Sequence, residues 1–156
     1  MFREAARYVK STGGTHMIMM EDDVLTQGVV KIPAEWECAG FDVPGNKIEP
    51  ALLDFIKTKY GANPNVDWYG AGGGSIYNIV TFLDNYHKIY DFIDFEFDYI
   101  LKFLDHRFGW LDLYMQIAYF ILGKDYSINN NLTEVWKTPN FRDTDFSLVH
   151  AYKELY

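Results

Sequence analysis

The chain has 156 residues, 49% of them hydrophobic, which suits one domain over residues 1–156 with a sizeable core and excludes an intrinsically disordered chain. Its formal charge of −8 argues against nucleic acid or an anionic membrane surface as a partner, because both would be repelled. Cys38 is the single cysteine, and no apolar run forms a signal peptide or approaches the roughly 20 residues that span a bilayer, so we expect a soluble cytoplasmic protein with no membrane span.

The chain opens with the pattern of a helix, a turn and a short strand. Apolar residues at helical spacing predict a helix over residues 2–10, and the Ser-Thr-Gly-Gly sequence that follows ends it. Met17–Met20 form an apolar run that predicts a fully buried strand, although so short a run could also be helical. The order of elements indicates an α/β fold.

Later segments continue the mixture of helices and strands. Residues 29–47 are interrupted by prolines and glycines and are typical of short strands with a long loop. Residues 48–61 predict a helix, with Pro50 near its first position and Gly61 at its end. Further along, the pattern predicts a strand, a glycine-rich turn and a helix over residues 66–86, helices over 87–104 and 111–123, and at least one short strand in the tail.

An acidic cluster, Glu21–Asp23, follows the first predicted strand where that strand would leave the sheet. Three adjacent carboxylates are costly to hold together unless water, a cation or a donor-rich ligand compensates. One of them could bind Mg²⁺ or Mn²⁺, and Asp23 is the better candidate because it lies deeper in the loop, while the first could reach a ribose hydroxyl or a metal-bound water. The alternative is a solvated acidic turn.

A glycine-rich segment occupies Trp68–Asn78, with four glycines among residues 70–74. Glycines allow a sharp turn or close approach to a ligand, and their amides could bind an anion. The segment lacks both the Gly-Lys-Ser/Thr of a Walker loop and the spacing of the dinucleotide fingerprint. A flexible turn without a ligand is an equal alternative.

Two further motifs carry residues that could act in catalysis or binding. Asp112 falls near the start of an apolar helix, where it could deprotonate a hydroxyl beside Trp110 or simply cap the helix. His150 could complete a metal site, and Lys153 could neutralise phosphate oxygens one turn later. The alternative for this pair is a partly buried terminal histidine with a surface lysine.

In this order the four motifs resemble the GT-A fold of nucleotide-sugar glycosyltransferases. The sequence "MIMMEDDV" looks like that family's strand and DXD-type motif, and "YGAGGGSIYNIVTFLDNY" is similar to its glycine-rich strand-to-helix element. The sequence "GWLDLYMQ" looks like the acid-bearing motif that supplies the catalytic base, and "HAYK" resembles the late histidine and lysine of the metal and diphosphate site. Together the motifs span nearly the whole chain.

The resemblance implies a Rossmann-like α/β GT-A fold with a mixed central sheet flanked by helices. It implies metal-dependent, inverting transfer of a sugar, of the hexosyltransferase type, from a nucleotide-diphosphate donor to a hydroxyl of a glycan or glycoprotein. Uridine diphosphate is the family's commonest carrier. The implied roles are Asp23 and His150 as ligands of Mn²⁺ or Mg²⁺, Glu21 and Asp22 towards the ribose and the metal's waters, Gly73, Gly74 and Ser75 at the sugar, Lys153 at the diphosphate, and Asp112 as general base.

The resemblance also carries an expectation about length. The family places a nucleotide-binding half of about a hundred residues before its acidic motif, whereas 20 residues precede Glu21 here. We therefore expect the N-terminal part of the fold to be missing from the chain. The resemblance extends to small soluble glycosyltransferase modules of chloroviruses that act on capsid-protein glycans. Two rival functions stay open, a metal-dependent phosphoesterase and a non-catalytic carbohydrate-binding domain whose aromatic residues stack on sugars.

Overall fold

The computed structural model describes residues 2–20, 25–26, 30–40, 46–70, 74–95, 110–128, 133–134 and 148–149. The helices within these residues are α1 (Phe2–Ser11), α2 (Pro50–Tyr60), α3 (Ile79–Asp84), α4 (Tyr86–Phe95) and α5 (Trp110–Ile121). The strands are β1 (His16–Met19), β2 (Leu25–Thr26), β3 (Cys38–Gly40), β4 (Ser75–Asn78), β5 (Tyr126–Ile128), β6 (Thr133–Glu134) and β7 (Leu148–Val149).

The main sheet is mixed and has the strand order β1-β4-β3-β5. Strand β4 runs antiparallel to both of its neighbours, β1 and β3, whereas β3 and β5 are parallel. The protein is thus an α/β protein, as the sequence predicts, and its four-stranded main sheet is mixed. A small second sheet has the order β2-β7-β6, which confirms the prediction of short strands in the tail.

The core forms between one face of the main sheet and the helices. Tyr77 on β4 pairs with Met17 on one side and with Cys38 on the other, so these three side chains share a face. Phe2 of α1 and Tyr119 of α5 both contact the Tyr77 ring, with centroids 5.8 and 5.6 Å away. Tyr77 therefore lies at the centre of the contact between the sheet and helices α1 and α5.

The predicted ends of two helices are confirmed. Pro50 occupies the first turn of α2, where its missing N–H costs nothing, and Gly61 ends the helix with a left-handed φ of 68°. Helix α5 ends shortly before Gly123, whose φ is 71°. The helix predicted over residues 87–104 is observed as α4, and the remainder of that prediction lies outside the described residues.

Two predictions about strands were wrong. The apolar run Met17–Met20 is not fully buried, because β1 lies at the edge of the main sheet, where its residues are half-buried. In the segment 66–86 the strand, β4, follows the glycines and does not precede them. Before the glycines, Trp68 makes only an isolated bridge to Lys47. Across the described parts of the chain, no helix is long and apolar enough to cross a bilayer.

Candidate active site

The end of β1 and the beginning of β4 lie side by side. Met19, the last residue of β1, pairs with Ser75, the first residue of β4. Met20 continues towards the acidic cluster in the sequence, and Gly74 is the last residue of the glycine-rich run. The described residues that flank these two motifs are therefore neighbours. Of these two motifs, Glu21, Asp22 and Asp23 and residues 71–73, including Gly73, lie outside the described residues.

The small sheet joins the other side of the acidic cluster to the C-terminal motif. Leu25 pairs with Val149 across β2 and β7. In the sequence, one residue separates Leu25 from the acidic cluster, and Val149 directly precedes His150. Backbone pairing thus brings together the segments that lead to the two predicted metal ligands. His150 and Lys153 themselves lie outside the described residues.

Asp112 lies in the first turn of α5, as the sequence predicts, and its side chain is half-buried. It therefore lies at the positive end of the helix dipole. The hydroxyl of Tyr77 donates a long hydrogen bond of 3.4 Å to Asp112 Oδ1. This contact connects the start of α5 to β4, two residues from the point where the glycine-rich segment enters the sheet.

Ser75 extends this contact towards the glycine-rich segment. Its side chain is only 2% exposed, and it forms a hydrogen bond with the Tyr77 hydroxyl. Ser75, Tyr77 and Asp112 therefore form a hydrogen-bonded chain from the first residue of β4 to the helix. Gly74 precedes this chain with a φ of 106°, a backbone conformation that favours glycine. Two of the residues predicted to border the sugar, Gly74 and Ser75, are thus close in the chain to Tyr77, whose hydroxyl bonds to Asp112.

Electrostatics keep the groups around Asp112 protonated. Burial raises the pKa of the Tyr77 phenol well above 10.0, and the negative charge of Asp112 raises it further. Burial likewise raises the pKa of the Cys38 thiol well above 9.0, with further contributions from Asp112 and Glu37. At neutral pH Tyr77 is therefore a hydrogen-bond donor and Cys38 is an inert thiol.

Gln116 is a residue of this region that the sequence predictions did not include. Its side chain is 1% exposed, its Nε2 donates to the Trp68 carbonyl over 2.8 Å, and its Oε1 accepts from the Gly70 amide over 3.4 Å. It lies one helical turn after Asp112 on α5. The signal in the sequence is a lone polar amide within the apolar run "LYMQIAYFI", which favours a buried hydrogen-bonding role.

An open groove of about 510 Å³ lies between α2 and the segment that leads to the glycines. Its polar lining comes mainly from Asp54, Lys57 and Asp67, and Trp68 supplies an aromatic side chain. Asp67 is held by Lys47 at 3.0 Å. The Trp68 carbonyl also accepts a hydrogen bond from the Gln116 side chain. The groove is therefore next to helix α5, which carries Asp112.

Within the described ranges, no group of three or more His, Cys, Asp or Glu side chains is arranged to hold a metal ion. No protein-family model, curated protein or solved structure matches this chain. Function is therefore inferred from the residues and their geometry.

Proposed function

We propose that the protein is a metal-dependent glycosyltransferase of the GT-A type that transfers a sugar from a nucleotide-diphosphate donor to a hydroxyl of a glycan or glycoprotein. One observation carries the proposal. Met19, before the acidic cluster, pairs with Ser75 at the start of β4. Leu25, after the cluster, pairs with Val149, the residue before His150. Asp112 is joined to β4 through its hydrogen bond with Tyr77. Described residues adjacent in the chain to the four motifs are thus paired or hydrogen-bonded, which supports a donor site with a metal, a base and an anion-binding loop.

The donor set suits the proposed metal. Carboxylates suit Mn²⁺ and Mg²⁺, and a neutral imidazole can act as a further metal ligand. The proposal assigns the metal to Asp23 and His150. The metal would neutralise the negative charge that develops on the departing diphosphate. The remaining assignments to the donor are Glu21 and Asp22 at the ribose and the metal's waters, Gly73, Gly74 and Ser75 at the sugar, and Lys153 at the diphosphate.

In this proposal Asp112 acts as the general base. Its carboxylate accepts the proton of the acceptor hydroxyl, and the acceptor oxygen forms a bond to the anomeric carbon. The bond from that carbon to the diphosphate oxygen breaks at the opposite face, so the configuration is inverted. Tyr77 is protonated at neutral pH and orients the Asp112 carboxylate through its hydrogen bond. Uridine diphosphate is the first carrier to test, and the proposed acceptor is a hydroxyl of a glycan or glycoprotein.

A turnover assay tests the proposal. The chain is incubated with Mn²⁺ and a panel of UDP-sugars, including UDP-glucose, UDP-galactose, UDP-xylose and UDP-N-acetylglucosamine, and release of uridine diphosphate is followed with and without a mixture of glycan acceptors. We expect release from at least one donor that stops with EDTA. Release no faster than the EDTA control with every donor would contradict the proposal.

A second candidate, a non-catalytic carbohydrate-binding domain, is favoured by the groove beside Trp68. An aromatic side chain next to carboxylates and a lysine can offer both an apolar surface and hydrogen bonds to a sugar. The two functions differ in their ligands. Binding of oligosaccharides that is lost in Trp68→Ala, without any metal-dependent binding of uridine diphosphate, would favour the binding domain over the transferase.

A further inference from the structure

The buried side chain of Gln116 connects α5 to the segment that enters the glycine-rich run. Both ends of its amide are used, because Nε2 donates to the Trp68 carbonyl and Oε1 accepts from the Gly70 amide. Placing an amide at 1% exposure within an apolar helix is costly unless its hydrogen bonds are made. The two bonds therefore hold the backbone of residues 68–70 at a defined distance from the helix.

The same helix carries Asp112 one turn earlier. Residues four positions apart lie on the same face of a helix, so Asp112 and Gln116 both project towards the sheet and the glycine-rich segment. At the other end of that segment, Gly74 leads into Ser75 and Tyr77, and Tyr77 contacts Asp112. Both described ends of the segment are thus tied to one face of α5, one through Gln116 and the other through Asp112.

We infer that Gln116 is a positioning residue that holds the glycine-rich segment in register with Asp112. In the transferase proposed above, on which this inference rests, the segment borders the donor sugar and Asp112 is the base. A fixed distance between them aligns the acceptor oxygen with the anomeric carbon, and small misplacements of reacting groups are costly. Gln116 would therefore act on turnover without touching the substrate.

The first test variant is Gln116→Met, which replaces the amide by an apolar side chain of similar volume. A second variant, Gln116→Leu, shows whether an effect is due to a folding defect of one particular substitution. The control is Thr81→Val, which keeps the size of the side chain and removes a part-buried hydrogen bond from the Thr81 hydroxyl on α3 to the Glu37 carboxylate, away from Gln116 and Asp112. Amide hydrogen exchange is followed residue by residue by NMR. In the Gln116 variants we expect the Gly70 amide to exchange about tenfold faster, whereas the control leaves it unchanged.

Turnover of the UDP-sugar identified in the donor screen is then measured for the same variants. We expect kcat to fall about tenfold in Gln116→Met with little change in KM, and to be retained in Thr81→Val. Unchanged exchange at Gly70, or faster exchange with kcat retained, would overturn the inference. If the native chain turned over no donor, the proposed function would fail, and the exchange result would still decide whether Gln116 holds the segment.

Discussion

The Tyr77 hydroxyl lies 3.4 Å from Asp112 Oδ1 and donates a hydrogen bond to it, joining the middle of β4 to the first turn of α5. Tyr77 is 1% exposed, and its ring also contacts helix α1. A buried phenol packed on both sides has little freedom to rotate, so it fixes the orientation of the carboxylate it touches. The core of the protein and the proposed base are therefore connected directly.

Replacing the proposed base should abolish turnover and spare the donor. In Asp112→Asn the side chain keeps its size but can no longer accept the acceptor proton, so we expect kcat to fall by about 100-fold or more. Steady-state kinetics with a UDP-sugar, together with calorimetric binding of uridine diphosphate, measures both quantities. The matched control is Asp125→Asn, which makes the same change at an exposed site. A native kcat in Asp112→Asn would show that Asp112 is not the general base.

Removing the Tyr77 hydroxyl should affect both stability and turnover. Tyr77→Phe deletes the hydrogen bonds to Asp112 and Ser75, and we expect the free energy of unfolding to fall by about 1 kcal/mol. Because Asp112 then loses its orienting partner, kcat should fall about tenfold. The control, Thr81→Val, loses a part-buried hydrogen bond to Glu37 that involves neither Tyr77 nor Asp112. Equal kcat values in the two variants would show that Tyr77 does not position the base.

The protein should lose stability in alkaline solution. Burial raises the pKa of Cys38, Tyr77 and Tyr119 above their usual values of 9.0 and 10.0. The unfolded chain therefore releases these protons first, and the stability they confer, complete below about pH 9, decreases as the pH rises further. Each group contributes a slope of up to about 1.4 kcal/mol per pH unit. Urea unfolding between pH 7 and 10.5 measures how the free energy of unfolding changes with pH. This slope should be shallower in Tyr119→Phe than in the native protein, and a free energy of unfolding that does not change with pH in the native protein would refute this account.

The close approach of β3 to Tyr126 should make Gly40 intolerant of a side chain. A Cβ at Gly40 would overlap the Tyr126 hydroxyl and come within 2.9 Å of its Cζ. Tyr126 is buried against Trp68, with ring centroids 5.3 Å apart, and cannot move away freely. We expect Gly40→Ala to cost about 1–3 kcal/mol in urea unfolding. The cost should shrink when the substitution is made in a Tyr126→Phe background, and an equal cost in both backgrounds would exclude the overlap as its cause.

The sequence predicts best what depends on local backbone chemistry. Pro50 and Gly61 bound α2 as expected, because a missing N–H and a left-handed residue act at helix ends regardless of the surrounding fold. Asp112 falls in the first turn of α5 for a similarly local reason, because the apolar helical run begins there. These features require no knowledge of long-range pairing.

What the sequence could not predict depends on contacts between distant segments. The apolar run at Met17 cannot reveal that β1 lies at a sheet edge, because strand order is set by the pairing of β4 with both β1 and β3. The partners of Tyr77 and Gln116 could not be predicted, because Asp112 and Trp68 lie 35 and 48 positions away from them in the sequence. The pairing of Met19 with Ser75 and of Leu25 with Val149 likewise appears only when the strand register is known.

Calorimetric titration of uridine diphosphate in the presence of Mn²⁺ tests the central claim most directly. The account predicts saturable binding that disappears with EDTA and in Asp23→Ala, and that persists in the surface variant Asp125→Ala. Absence of binding by the native chain, or binding that is unaffected by both EDTA and Asp23→Ala, would contradict a metal–diphosphate site at the acidic cluster and with it the proposed transferase.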